Sequence, residues 1–235
     1  MIPKLTGPYR IRPLRALQAM YRLNRNPDGT EEVFHLYESL EGDAPSHYAR
    51  RMRKHKTGRR IMDERPKLLE ALSDRDRLAA MPQGSLGRHY LDFVTTGNIS
   101  AEGLVEASSG VDQTWRVDSD EAYLMDRIRD MHDLWHVVTG YDRDLVGEAA
   151  LVGFSTMQLP NLGGYALTFT GMLVAGRSAD AWRTIRRGIR RGRRARWLPA
   201  APWETLLTRP LAAVRAELNI GPPPSYVHMA SPFAM

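Results

Sequence analysis

His132 and His136 stand four residues apart, with Asp133 beside the first and Glu148 a short way downstream. On a helix, positions i and i+4 project from one face, so the two imidazoles stack one above the other. At 3.6 residues per turn Asp133 is rotated about 100° from His132 and about 60° from His136, close enough to line the same cleft. Two imidazoles and one or two carboxylates form a donor set for a divalent metal. Zinc and ferrous iron suit it, and the carboxylates also accept magnesium or manganese. Three protein ligands would leave positions open for a substrate oxygen.

The elements that must position these residues can be read around them. Asp118-x-x-Glu121 has the pattern of a capping box opening a long helix. Leu124, Ile128, Met131, Trp135 and Val138 recur at three- and four-residue intervals and predict its core-facing stripe. Gly140 is placed to end it in a left-handed cap, and a second helix restarts near Asp142 to Asp144. Such a short connection favours an antiparallel hairpin. His136 and Glu148 would each lie about 6 Å along their helices from it, which brings them level.

Upstream, helices are expected over Pro13–Leu23 and from Asp28 or Thr30 through Tyr37, separated by the turn Asn26-Pro27-Asp28-Gly29. Further helical pieces follow over Ser46–Lys56, from Gly58 to Glu64, after Pro66 with Leu68, Leu69 and Leu72, and over Leu86–Val94 with Tyr90, Phe93 and Val94 buried. Alternating runs of Val, Ile and Thr are missing, so little or no sheet is expected. From Ala149 to Gly176 no residue is charged. Pro160 and the glycines break this stretch into a buried pair of helical pieces rather than a membrane span. It would give a greasy wall beside the metal residues. The segment from about 179 to 197 gathers Arg183, Arg186, Arg187, Arg190, Arg191, Arg193, Arg194 and Arg196 around Trp182, Ile185 and Ile189. This predicts a basic amphipathic helix suited to an anionic membrane surface or to an acidic protein. No nucleic-acid recognition motif accompanies it, so nucleic acid is not an expected partner. One short helix is expected over Leu206–Leu218, and an extended tail from Gly221.

The chain has 235 residues, 43% hydrophobic and 26% charged, with a net charge of +6. Its size and even patterning predict one domain, 1–235, with a full core. There is no cysteine, which excludes disulfides, thiolate metal sites and a cysteine nucleophile. Met1 to Leu17 holds no apolar signal core, so a cytoplasmic chain without secretory signal is expected. Arg127 and Arg129 are candidates for meeting an anionic substrate, or for pairing with Asp126 or Asp130. His89 follows a glycine-rich loop and is a candidate pocket residue.

The spacing His132-Asp133-x-x-His136, eleven residues, Glu148 resembles the metal-binding signature of the ubiquinone biosynthesis family called COQ-four. Glu64-Arg65-Pro66, the stretch Leu78–Tyr90 and the stretch Glu121–His132 read like the same family, and the resemblance runs from about 26 to 162. It implies a single compact all-α fold with a central helix hairpin carrying the metal site and a lipid-sized hydrophobic cavity. It implies a homodimer, and a metal, zinc by family, held by His132, Asp133, His136 and Glu148. The implied activity is oxidative decarboxylation at C1 of a polyprenylated hydroxybenzoate at the inner face of the cytoplasmic membrane. Implied partners are the polyprenylated quinone precursor and other ubiquinone biosynthesis proteins. Two alternatives stand beside it. One is a non-catalytic lipid-binding scaffold; the other is a metal-dependent phosphohydrolase, which would enlist His89 and Asp180.

Overall fold

The computed structural model describes residues 11–25, 30–97, 119–176 and 178–229, and every regular element among them is helical. The expected all-α class holds. Six helices lead in: α1 (Pro13–Arg25), α2 (Thr30–Leu40), α3 (Ala44–Lys54), α4 (Lys56–Glu64), α5 (Leu68–Ser73) and α6 (Arg75–Ala79). Then come α7 (Leu86–Thr96), α8 (Asp120–Asp130), α9 (His132–Thr139), α10 (Leu145–Gln158), α11 (Leu162–Val174), α12 (Ala179–Arg194), α13 (Trp203–Leu206) and α14 (Leu211–Glu217). The turn Asn26–Gly29 and the cap residue Asp118 lie outside the described residues.

The cap seen at α8 is Ser119, whose hydroxyl accepts from the Ala122 amide at 3.0 Å. The long helix expected through Gly140 is divided by a single turn residue, Met131, just before His132. Its apolar stripe is nonetheless continuous: Leu124, Met131, Trp135 and Val138 are buried in the main core, and Ile128 packs at its edge. Gly140, at φ 72°, ends α9 in the left-handed region. Asp144 then caps α10, its Oδ1 accepting from Val146 and Gly147 amides at 3.1 and 3.3 Å.

Helix α10 packs chiefly on α12. The contact is made backbone to backbone: a side chain at Gly188 would run into the Ala150 carbonyl, and one at Gly192 into the Phe154 carbonyl. Gln158 locks the far end, donating to Gly192 O at 2.6 Å and accepting from Leu198 N at 2.8 Å. The buried face of α12 is therefore Ala181, Thr184, Ile185, Gly188 and Gly192. The Trp182–Ile185–Ile189 stripe read from sequence was too broad, since Trp182 points outward. The basic helix is thus seated on the core by its apolar face and offers solvent most of its arginines, while Arg191 turns to the tail carbonyls of Ile220 and Pro222.

The uncharged stretch does not stay together either. Its α10 part is core, whereas α11 joins a satellite cluster with α1 and α2 around Leu36 and Leu167. On the far side of α11, Leu162, Tyr165, Phe169 and Leu173 form one exposed face, and Leu14, Leu17 and Tyr21 do the same on α1. Beside the stretch, the described residues present this open apolar surface. A pocket of about 370 Å³ lies elsewhere, between α3 and the start of α8, and is lined by charged groups including Arg50, Arg53 and Asp120. Among the described residues no helix is long and apolar enough to cross a membrane.

One further expectation needs correction. Arg127 does not pair within its own helix: it is buried and makes a two-pronged bridge to Glu204 at 2.6 and 2.9 Å. Its position on the core side of α8 aims it at α13, 77 residues away. The short helix expected within Leu206–Leu218 is α14, which begins just after Pro210; the turn of helix before it, α13, was not foreseen.

Candidate metal centre

His132 and His136 occupy successive turns of α9, their rings 4.9 Å apart and edge to face. One donor atom each from His132, Asp133 and His136 falls within 4.8 Å of the others, so this group could hold a metal ion. His132 Nδ1 lies 3.0 Å from Asp133 Oδ1. Across the connection, Glu148 Oε1 comes to 3.3 Å from His136 Nε2. All four sequence candidates are therefore neighbours. His89 and Asp180 do not join the group: His89 is exposed on α7, and Asp180 accepts from the Val227 amide at 2.9 Å.

Burial divides the four. Asp133 and His136 side chains are 7% and 0% exposed, whereas His132 and Glu148 are each 41% exposed, so the cluster opens to solvent on one side only. Phe93 of α7 closes another side, its ring stacked on His136 at 5.3 Å and 24°. Arg143 in turn lies over Phe93, 4.7 Å from the ring centre.

The fit to a metal is tested by His136. Its Nδ1 lies 2.9 Å from the Tyr141 carbonyl and donates to it, which leaves Nε2 with its lone pair. That Nε2 is buried and has no formed hydrogen bond, and its nearest partner is Glu148 Oε1 at 3.3 Å. A buried imidazole nitrogen without a formed hydrogen bond costs free energy unless something fills the role. A cation between it, the two neighbouring carboxylates and His132 would do so. The donor set fits.

Without a metal, a proton on His136 takes the cation's place opposite Glu148. Burial works against a charged His136, but Glu148, the Tyr141 carbonyl and Asp133 outweigh it and raise its pKa. Burial likewise works against the Glu148 charge, but His136, His132 and Arg143 hold its pKa below the ordinary carboxylate value. The site is organised to keep a carboxylate ionised against concentrated positive charge.

What sequence reading missed is the support. The connection Gly140–Asp144 is overlaid by the tail: Tyr226 OH donates to Asp144 Oδ2 at 2.7 Å and accepts from the Asp142 amide at 2.8 Å. Nothing local marks these contacts, since the partners are more than 80 residues apart. The only available signal was the pair of glycines, Gly140 and Gly147, whose bare Cα atoms make room for Pro223 and for the Tyr226 hydroxyl.

Residues 13–224 match the family described as coenzyme Q (ubiquinone) biosynthesis protein Coq4. The chain is 32% identical over 183 residues to the mitochondrial ubiquinone biosynthesis protein COQ4 homolog of Danio rerio, covering 74% of this chain and 63% of that one. It is 30% identical over 185 residues to the Homo sapiens homolog, covering 75% and 65%. The chain thus spans somewhat less than two thirds of these relatives' length. A crystal structure of a Nostoc punctiforme protein described as a ubiquinone biosynthesis protein shares the fold, with TM-score 0.67 at 23% identity, covering 90% of this chain and 100% of that one. With the match running through every described helix, this chain belongs to the Coq4 family of ubiquinone biosynthesis proteins.

Proposed function

We propose that the chain acts in oxidative decarboxylation at C1 of a polyprenylated hydroxybenzoate, with a divalent metal, zinc by family, held by His132, Asp133, His136 and Glu148. The observation that carries this is the buried His136 Nε2, without a formed hydrogen bond, facing Glu148 in a cluster open on one side. When bound, the ion supplies Lewis acidity toward a ring carboxylate or phenolate oxygen. The protein's own part is positioning. The Tyr141 carbonyl fixes the His136 tautomer, Phe93 shields its ring, and the exposed edges of His132 and Glu148 mark the entrance. In the balanced step the ring carboxylic acid and one water give the phenol and CO2, and two protons and two electrons leave to an external two-electron acceptor.

The open apolar face Leu162–Tyr165–Phe169–Leu173 suits a prenyl tail and the bilayer that carries it. The arginine face of neighbouring α12 complements anionic headgroups at the inner face of the cytoplasmic membrane. Exposed Leu14, Leu17 and Tyr21 on α1 form an apolar surface of the kind a second copy covers, in keeping with a homodimer. A scaffold that gathers other ubiquinone biosynthesis proteins would use the same surfaces without the metal chemistry. The phosphohydrolase alternative loses support because His89 and Asp180 stand apart from the cluster.

Quinone-intermediate profiling in a deletion strain separates these readings. Wild type should clear a carboxylated prenyl-phenol and a folded His132→Ala chain should leave it accumulating. Full complementation by that variant overturns the catalytic reading and leaves the scaffold.

A further inference from the structure

We propose that Tyr226 is a positioning residue for the metal group: the tail segment it anchors sets the first turn of α10 and, through it, Glu148. The inference rests on the metal reading above.

The segment Ile220–Met229 has no helix, yet it is tied down along its length. Arg191 donates to the carbonyls of Ile220 and Pro222 at 3.1 and 3.2 Å. Pro223 lies against the bare Cα of Gly140. The Val227 amide reaches Asp180 at 2.9 Å. The Met229 amide donates to Asp144 Oδ1 at 3.0 Å, and Leu145 N returns a bond to Met229 O at 2.9 Å. His228 stacks on Tyr226 with ring centres 4.7 Å apart and brings Nδ1 to 3.3 Å from Asp144 Oδ2.

Tyr226 is where these ties converge on the site. Its hydroxyl fills both roles, accepting from Asp142 N and donating to Asp144 Oδ2. Burial, then the hydrogen bond to Asp144, raises its pKa, so the donor proton is retained at any physiological pH. Asp144 divides its oxygens: Oδ2 takes the tyrosine, while Oδ1 holds the Val146 and Gly147 amides. Glu148 N follows, bonded to Asp144 O at 2.8 Å. The path from Tyr226 to the ligand is therefore one side chain and one helical turn. Gly147 completes it, because a Cβ there would sit 2.6 Å from the tyrosine oxygen. Outer partners that orient metal ligands in this way matter to affinity by about 10–100-fold.

The test uses the full chain as wild type, Tyr226→Phe, Glu148→Gln and the double variant, with His132→Ala as the ligand-loss control. Phenylalanine keeps the ring and removes only the hydroxyl. Two readouts are taken: hydrogen exchange of amides 142–148 in metal-free protein, and cobalt(II) chloride titration followed by visible absorption. Tyr226→Phe should speed exchange in that turn and weaken cobalt binding about tenfold. In the Glu148→Gln background the same change should alter cobalt affinity less than about twofold, because the two act in series. An equal loss in both backgrounds, or unchanged exchange, overturns the proposal. If wild type and His132→Ala alike take up no cobalt, the metal reading fails together with the coupling, while exchange still decides whether the tail steadies the turn.

Discussion

Helix α10 meets two neighbours of opposite character. Toward α12 it offers Ala150 and Phe154 carbonyls to Gly188 and Gly192, and nothing fits between the backbones. Toward α9 it offers Glu148, which approaches His136 without a formed hydrogen bond and leaves a buried nitrogen unsatisfied. The first contact is complete in itself and the second asks for a further component. A single rigid helix thus carries both the frame and the unfinished site, which is how a scaffold holds ligands near a productive geometry.

Breaking the frame should have the largest effect. Gly188→Val forces a branched side chain into a backbone carbonyl and should cost about 3 kcal/mol of stability, read by urea unfolding. An unchanged midpoint would mean the two helices separate easily. Next is the buried bridge that ties α8 to α13: Glu204→Gln leaves Arg127 buried with a weaker partner and should cost about 2–3 kcal/mol in the same assay. The site should behave in the reverse manner. His132→Ala, half-exposed, should leave unfolding within about 0.5 kcal/mol of wild type. It should also abolish the gain of about 2.7 kcal/mol that wild type shows at a hundredfold excess of zinc over its Kd. Zinc stabilisation that survives the change would place the ion elsewhere. The smallest effect concerns the outer surface. Arg186→Gln with Arg190→Gln should leave stability alone and weaken binding to phosphatidylserine-containing vesicles by about 1 kcal/mol per charge, measured by sedimentation.

The chain announces its helices and its ligands because both depend on short spacings. The i, i+4 histidines, the Gly140 cap and the Leu124–Val138 stripe are visible within a window of a few turns. Glu148 could be placed because the connection before it is short. What stayed hidden depends on distant partners. Arg127 sought Glu204 rather than the aspartates beside it, and the proline-bearing tail looked idle although it overlays the site. The glycines of α12 were obscured by arginines, although Ala181, Ile185, Gly188 and Gly192 recur at helical spacing. The uncharged stretch misled for another reason: absence of charge does not distinguish a core helix such as α10 from one such as α11 that bares an apolar face.

The glycine face of α12 has a consequence for folding. Gly188 and Gly192 each disfavour helix by about 1 kcal/mol relative to alanine, and arginines at i, i+3 and i+4 repel one another by about 0.2–0.5 kcal/mol per pair. Alone, this segment would stay largely unwound. Docking on α10, rather than local preference, holds it helical. Counter-ions that shield the arginines over about 8 Å at physiological ionic strength then act as folding partners. Moderate salt should make this part of the molecule sturdier, whereas it weakens the isolated ion pairs at the surface.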